Sequence, residues 1–175
     1  LQEREASGEF SWTLGYYPTQ ALADQAGMEL QDYARQIELG CMLDKGTPVT
    51  DWKLFAREAG EIKQWLAGLD IKTLRIESKD VDLLLPVGDL RKWQGVTGRN
   101  IPSFELYTSP DWRGVEGEYR ATLPTFRQGN RVENLRLSFR QGEVVSFSCD
   151  SGQEFARRQL ATDPGAKRLG EFALV

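Results

Sequence analysis

The sequence contains no histidine over its 175 residues. Neutral imidazole is the commonest side-chain ligand of catalytic metal ions and a frequent general base. Most hydrolytic sites depend on it in one of these roles. These residues by themselves are therefore not expected to form a complete histidine-dependent site.

Cysteine is nearly absent as well, since only Cys41 and Cys149 occur. They lie far apart along the chain and have no CxxC spacing, which fits buried free thiols better than a disulfide framework. Two buried free thiols are typical of a reducing compartment. We therefore predict a cytoplasmic location.

Long hydrophobic runs and clusters of positive charge are also missing. The longest apolar runs, such as Leu83 to Leu85, are far too short to cross a bilayer, and no signal-like segment opens the chain. The 22 basic residues are outnumbered by 26 acidic ones, giving a net charge of −4. Because nucleic-acid-binding surfaces need basic patches, we expect neither nucleic acid nor a membrane as a partner.

What the chain does have is enough apolar material, 40% of its residues, for a real core. The hydrophobic period changes from 3.6 to 2 near residue 70. We predict an α+β fold in which residues 1–70 are mainly helical and residues 71–175 form a largely antiparallel β-sheet with C-terminal helices.

The helical half contains one short and two longer helix patterns. The last begins at Thr47 and Pro48, a pair that favours a helix start, and carries an apolar stripe. We expect Trp52 and Trp65 to lie in the core on this stripe. Before the helices, the alternation in FSWTLGYYP predicts a strand.

The second half begins with alternating segments on either side of Lys79, and GEYRATLPTF predicts a third strand. The clearest feature is a hairpin over residues 131–150 with its turn at Gln141 and Gly142. In this hairpin Val145 is expected on the same apolar face as Phe147.

Two helix starts are predicted near the C-terminus. Ser151 with Glu154 has the spacing of a capping box, and Asp163 with Pro164 favours one further short helix. The loop-like region from Gly88 to Ser103 contains three glycines. Trp93 and Trp112 fall in loops, where both packing and ligand stacking are open, whereas Arg168 is expected on a solvated helix face.

Five segments together resemble a known family, the thermophilic metalloaminopeptidases of the aminopeptidase T and aminopeptidase S type. They are SWTLGYYPTQALADQAGM, RNIPSFELYTSP, VEGEYRATLPTF, GNRVENLRLSFRQGEVVSFS and ATDPGAKRLGEFALV, in the family's order. The resemblance implies a cytoplasmic, homodimeric exopeptidase that acts on peptides with two divalent metal ions.

Matched to the family's motifs, Glu105 corresponds to the glutamate of Asn-x-Pro-Ser-Gly-Glu and Glu171 to that of Leu-Gly-Glu-Phe. The resemblance implies that both are metal ligands, and carboxylates suit a pair of cations that activate water. Phe104 stands where the pattern has glycine. If that position needs a positive φ, phenylalanine would be strained there.

The first residue, Leu1, is not methionine, and EFALV reads as a strand entering a core, so both ends are expected to be cut. The family's remaining ligands, histidines and an aspartate, are then expected beyond Val175. On this interpretation the chain holds half of a metal site and is inactive alone. The alternative is a non-catalytic binding or dimerisation module that keeps the fold without the site.

Overall fold

The structure is a computed structural model and describes residues 2–175. It divides into two compact units, the first formed by residues up to 66 with 94–106 and 174–175, and the second by residues 67–93 and 107–173. Helices and mostly antiparallel strands are both present, which confirms the α+β prediction.

The helices are α1 (Gln2–Ala6), α2 (Gln20–Ala26), α3 (Leu30–Gly40), α4 (Pro48–Gly68) and α5 (Gln153–Leu160), with 3-10 turns at Leu43–Lys45 and Trp112–Gly114. The strands are β1 (Leu14–Gly15), β2 (Thr73–Glu77), β3 (Val81–Pro86), β4 (Gln94–Gly95), β5 (Asn100–Ile101), β6 (Leu106–Thr108), β7 (Glu116–Arg120), β8 (Thr125–Arg127), β9 (Asn130–Val132), β10 (Arg136–Arg140), β11 (Glu143–Ser148) and β12 (Phe172–Leu174). No helix within the described residues is both long and apolar enough to cross a membrane.

The longest element of the first unit is α4, which begins at the predicted Pro48. The Thr47 carbonyl accepts the amide of Asp51, while the Thr47 hydroxyl donates to the Asp51 carboxylate at 3.2 Å. Its apolar stripe is only partly buried. Ala59 is in the core, but Trp65 is exposed, so the expectation that Trp65 is a core residue is wrong.

The predicted strand FSWTLGYYP is reduced to the two residues of β1. This strand pairs in parallel with β5, with Leu14 opposite Asn100. Both residues of β1 are exposed. A two-residue pairing without a buried face gives little reason for the strand to extend further.

The second unit is organised by a five-stranded antiparallel sheet in the order β11, β10, β7, β3, β2. Its core contains buried side chains from three of these strands and from the segment before β7. They are Leu83, Leu85, Val115, Phe139 and Val144. The predicted hairpin around Lys79 is present as β2 and β3.

The predicted hairpin of β10 and β11 is confirmed, and Gln141 and Gly142 form its turn with positive φ values of 49° and 82°. A register shift between Ser138 and Phe139 pairs Phe139 with Val144. Such a bulge changes which side chains face the core. As a result Val144 is buried and Val145 is exposed, so the predicted face of Val145 is wrong.

Three further predictions are wrong in detail. GEYRATLPTF is not one strand, because β7 ends at Arg120 and β8 begins after Pro124, which has no amide hydrogen for a ladder. Ser151 does not cap α5, since its hydroxyl donates to Glu133 at 3.1 Å. Asp163 accepts the amides of Gly165 and Ala166 as a helix cap does, but the residues that follow form turns and do not continue as a helix.

Candidate functional site

Glu105 lies in the first unit, immediately before β6. The next residue, Leu106, is buried and anchors the start of the strand, whereas Glu105 itself is half-buried. Glu105 contributes to the wall of a cavity of about 600 Å³ in this unit. The carboxylate is therefore attached to a fixed backbone and borders open space large enough for a ligand.

Phe104, next to Glu105, is packed into an aromatic cluster on α4. Its ring stacks on Trp52 with 5.6 Å between centroids and meets Phe55 edge to face at 5.3 Å. The Trp52 indole nitrogen donates to the carbonyl of Cys41 at 2.9 Å, which fixes the cluster. Phe104 does not have a positive φ. The strain considered for phenylalanine at this glycine position is therefore absent.

A close backbone approach fixes Glu105 from another side. Gly95 has φ +116°, and a Cβ atom there would overlap the carbonyl oxygen of Glu105. Only glycine allows this contact. The Lys63 ammonium group on α4 donates to the Gly95 carbonyl at 2.9 Å. The next residue, Val96, has φ 50°, which is strained for a β-branched side chain.

Glu171 lies in the second unit, immediately before β12, and is exposed. It borders a cavity of about 470 Å³ whose wall is otherwise mainly apolar and includes Leu83, Phe139 and Leu169. Phe172, the first residue of β12, packs edge to face on Trp93 at 6.4 Å between centroids. Trp93, left open by the sequence, therefore supports β12.

The segment before Glu171 is held on the end of the β10–β11 hairpin. The Arg168 guanidinium stacks on the Trp112 ring at 3.7 Å and approaches Glu143 at 3.5 Å. The Val144 amide donates to the carbonyl of Lys167 at 2.9 Å. The expectation that Arg168 is a solvated charge is wrong, and Trp112 has its partner within the protein.

The two predicted ligands lie in different units, Glu105 in the first and Glu171 in the second. Carboxylate oxygens are suitable donors for divalent cations. Within residues 2–175, however, no group of three or more histidine, cysteine, aspartate and glutamate side chains could hold a metal ion. The described residues thus offer individual carboxylate donors but do not complete a metal site.

The thiols offer no substitute for a metal. Cys41 and Cys149 are free. Burial raises the pKa of the Cys41 thiol, and burial together with the nearby Asp150 raises the pKa of Cys149. A raised pKa disfavours the thiolate, so neither cysteine is activated as a nucleophile.

Sequence reasoning missed the residues that fix the two glutamates. Gly95 belongs to the predicted glycine-containing loop, but its contact with Glu105 joins positions ten residues apart that no local pattern connects. Lys63 was not singled out, because a lysine on a helix resembles any solvated charge. Arg168 and Trp112 are far apart in sequence, so nothing local indicates that they stack.

Comparisons with known proteins agree with this architecture. The whole chain, residues 1–175, matches the family model described as thermophilic metalloprotease (M29). Aminopeptidase 2 of Geobacillus stearothermophilus is 31% identical over 94% of this chain and 43% of its own length. Aminopeptidase T of Thermus thermophilus is 32% identical over 75% of this chain and 35% of its own length.

The structure of wild-type AmpT from Thermus thermophilus superimposes with a TM-score of 0.79 at 31% identity, covering 98% of this chain and 46% of that one. The chain thus spans less than half the length of these relatives. With a family match over its full length and a shared fold, the chain belongs to the thermophilic metalloprotease (M29) family.

Proposed function

We propose that this chain is part of a metal-dependent aminopeptidase that hydrolyses N-terminal residues from peptides. The family membership and the names of the relatives support this activity. The structural observation that carries it is Glu105, a half-buried carboxylate on a fixed backbone at the wall of a cavity of about 600 Å³.

In this proposal Glu105 and Glu171 are metal ligands, and two divalent cations bind in the complete protein. The cations would supply an activated water for attack on the peptide carbonyl. The role of this chain is to hold its carboxylates in place, through Gly95 and Lys63 for Glu105 and through Arg168 for Glu171. The remaining ligands would lie outside residues 2–175.

We further propose a cytoplasmic homodimer. The two free thiols favour a reducing compartment. The dimer rests on the family resemblance alone. A non-catalytic binding or dimerisation module is the alternative, and its motivation is the phenylalanine at position 104 in place of glycine, which could strain the backbone or block the site. Phe104 has no positive φ and packs on Trp52 and Phe55, so the strain half of that motivation is removed and the module stays as the second candidate.

The proposal is tested by hydrolysis of leucine p-nitroanilide with added Co²⁺ or Zn²⁺, using the 175-residue chain and the complete gene product side by side. We expect turnover by the complete product and only background from the isolated chain. Clear turnover by the chain alone would contradict the proposal that its set of metal ligands is incomplete. A coding segment after Val175 with two histidines and an aspartate supports the enzyme, whereas a stop codon there supports the module.

A further inference from the structure

The cavity beside Glu105 has one charged side chain and a largely apolar wall. Among the residues that the structure describes, Glu105 is the one acidic or basic side chain on its wall, and the apolar part includes Leu14, Tyr16, Tyr17 and Phe104. Two of these are unusually open for aromatic residues, with Tyr17 80% and Tyr16 66% exposed. Exposed aromatic surface beside a charged side chain is typical of a ligand site rather than of a folding core.

The chemistry of this wall matches one end of a peptide. The first residue of a peptide carries its side chain next to the scissile carbonyl, and the cavity places apolar rings next to Glu105, the proposed metal ligand. Over the described part of the chain, no lysine or arginine borders the cavity, so its wall carries no charged side chain beyond Glu105. An apolar first side chain would remove aromatic and aliphatic surface from water on both partners, which stabilises the complex.

We propose that this cavity binds the apolar side chain of the substrate's N-terminal residue, and that Phe104 is a specificity-determining residue within it. The inference rests on the proposed aminopeptidase function and adds the substrate class, peptides with a large apolar first residue. It also assigns a role to Phe104, which stands where the family motif Asn-x-Pro-Ser-Gly-Glu has glycine.

The position of Phe104 suits this role. One part of its ring is fixed by Trp52 and Phe55, yet 40% of the residue remains exposed. A ring that is packed against other side chains on one face presents a rigid apolar surface on the other. It loses little conformational entropy when a ligand contacts it. Glycine at this position would leave the Trp52 and Phe55 cluster without its third ring and the cavity without this wall.

The test measures kcat/KM of the complete gene product for alanine, leucine and phenylalanine p-nitroanilides. The variants are F104G, F104L and Y17S, with F126G as the matched control because Phe126 is 41% exposed and lies in the other unit. We expect the leucine-to-alanine ratio of kcat/KM to fall about tenfold in F104G, the range that apolar contacts in a pocket contribute. It should fall less in F104L and stay unchanged in F126G.

The ratio separates specificity from stability, because a poorly folded enzyme loses activity toward all three substrates equally. Y17S covers the case in which F104G fails to fold, since Tyr17 is exposed and its removal leaves the core intact. A second readout is the Kd of 3-methylbutylamine relative to ethylamine, measured by calorimetry, which should rise in both variants. If F104G and Y17S still hydrolyse the substrates and their leucine-to-alanine ratio of kcat/KM is unchanged, the inference is overturned. Absence of hydrolysis by the wild type overturns the proposed function itself.

Discussion

The two units differ in how they use their apolar residues. The second unit has a sheet core of large apolar side chains, with Leu85 and Val115 completely buried. The buried side chains of the first unit are mainly small, such as Ala23 and Ala59. Large aromatic side chains such as Tyr17 and Trp65 are exposed there. Large apolar residues therefore form a buried core in the second unit and an exposed apolar surface in the first.

This difference indicates where stability and recognition reside. A continuous buried core contributes most of the hydrophobic stabilisation of a domain. Exposed apolar surface next to a half-buried carboxylate contributes little to folding and is available to a ligand. We therefore expect substitutions in the second unit to act on the free energy of unfolding, and those around Glu105 to act on binding.

The largest contrast is expected from two leucines. Leu85→Ala in β3 removes a fully buried side chain and should lower the free energy of unfolding by about 2–5 kcal/mol, because a cavity remains. Leu54→Ala on α4 truncates a residue that is 42% exposed and should change it by less than about 0.5 kcal/mol. Urea unfolding followed by circular dichroism measures both. Equal losses would contradict the contrast.

Two glycines with the same geometry sharpen the comparison. Gly95 has φ +116° against the Glu105 carbonyl, and Gly117 has φ +117° against the Asp82 carbonyl. Alanine at either position is strained by about 1–3 kcal/mol before any overlap is counted. We expect Gly117→Ala chiefly to lower the melting temperature of the complete gene product, and Gly95→Ala chiefly to raise its Kd for Zn²⁺.

The result that would break this comparison is a Gly117→Ala protein that weakens Zn²⁺ binding as much as Gly95→Ala does. Chelator competition in the folded temperature range gives the Kd values independently of stability. Gly60→Ala on α4 serves as the control, because nothing lies within 4 Å of the added Cβ atom.

A smaller effect is expected from the cation–π contact of the second unit. Arg168→Gln removes the guanidinium that stacks on Trp112 at 3.7 Å and should lower the free energy of unfolding by about 0.5–2 kcal/mol. The matched change Arg131→Gln removes a guanidinium 5.5 Å from Phe126 and should have a smaller effect. Thermal unfolding distinguishes them, and a larger effect at Arg131 would contradict the assignment.

The smallest effect concerns the surface pair of a partly buried Asp111 and an exposed Arg113. The hydrogen bonds from the Arg113 guanidinium hold the pKa of the Asp111 carboxyl below its ordinary value. A lowered pKa in the folded state means that the stabilisation is present above the ordinary aspartate pKa and is lost as the pH falls through the lowered one. A carbon-13 NMR titration should show the Asp111 pKa moving up in Arg113→Gln. An unchanged Asp111 pKa in this variant would contradict the assignment of the shift to Arg113.

Local patterns in the sequence predicted much of this fold. The β10–β11 hairpin was found because Gln141 and Gly142 favour a tight turn and apolar residues alternate on both sides. Val145 was assigned to the wrong face because a one-residue bulge leaves no signal in an alternating pattern. Ser151 shows the same limit, since a capping residue in sequence can bond elsewhere in the fold. Asp163 does bond two of the amides that follow it, but a local cap signal does not decide whether a helix follows.

The candidate site was accessible only in part. The motifs singled out Glu105 and Glu171, but nothing local could indicate that Gly95 lies against Glu105. Phe104 gave a misleading signal, because glycine in a motif suggests a special backbone. The packing of its ring on α4 depends on tertiary structure, which explains why it could not be predicted.

The most direct test of the central claim is the metal content of the complete gene product, measured by inductively coupled plasma mass spectrometry after dialysis. The proteins are the wild type, Glu105→Gln and Glu171→Gln, with Glu61→Gln and Glu118→Gln as one control in each unit. We predict two divalent cations per wild-type chain, unchanged content in the controls and a clear loss in both site variants. Full metal content in Glu105→Gln and Glu171→Gln would contradict the account.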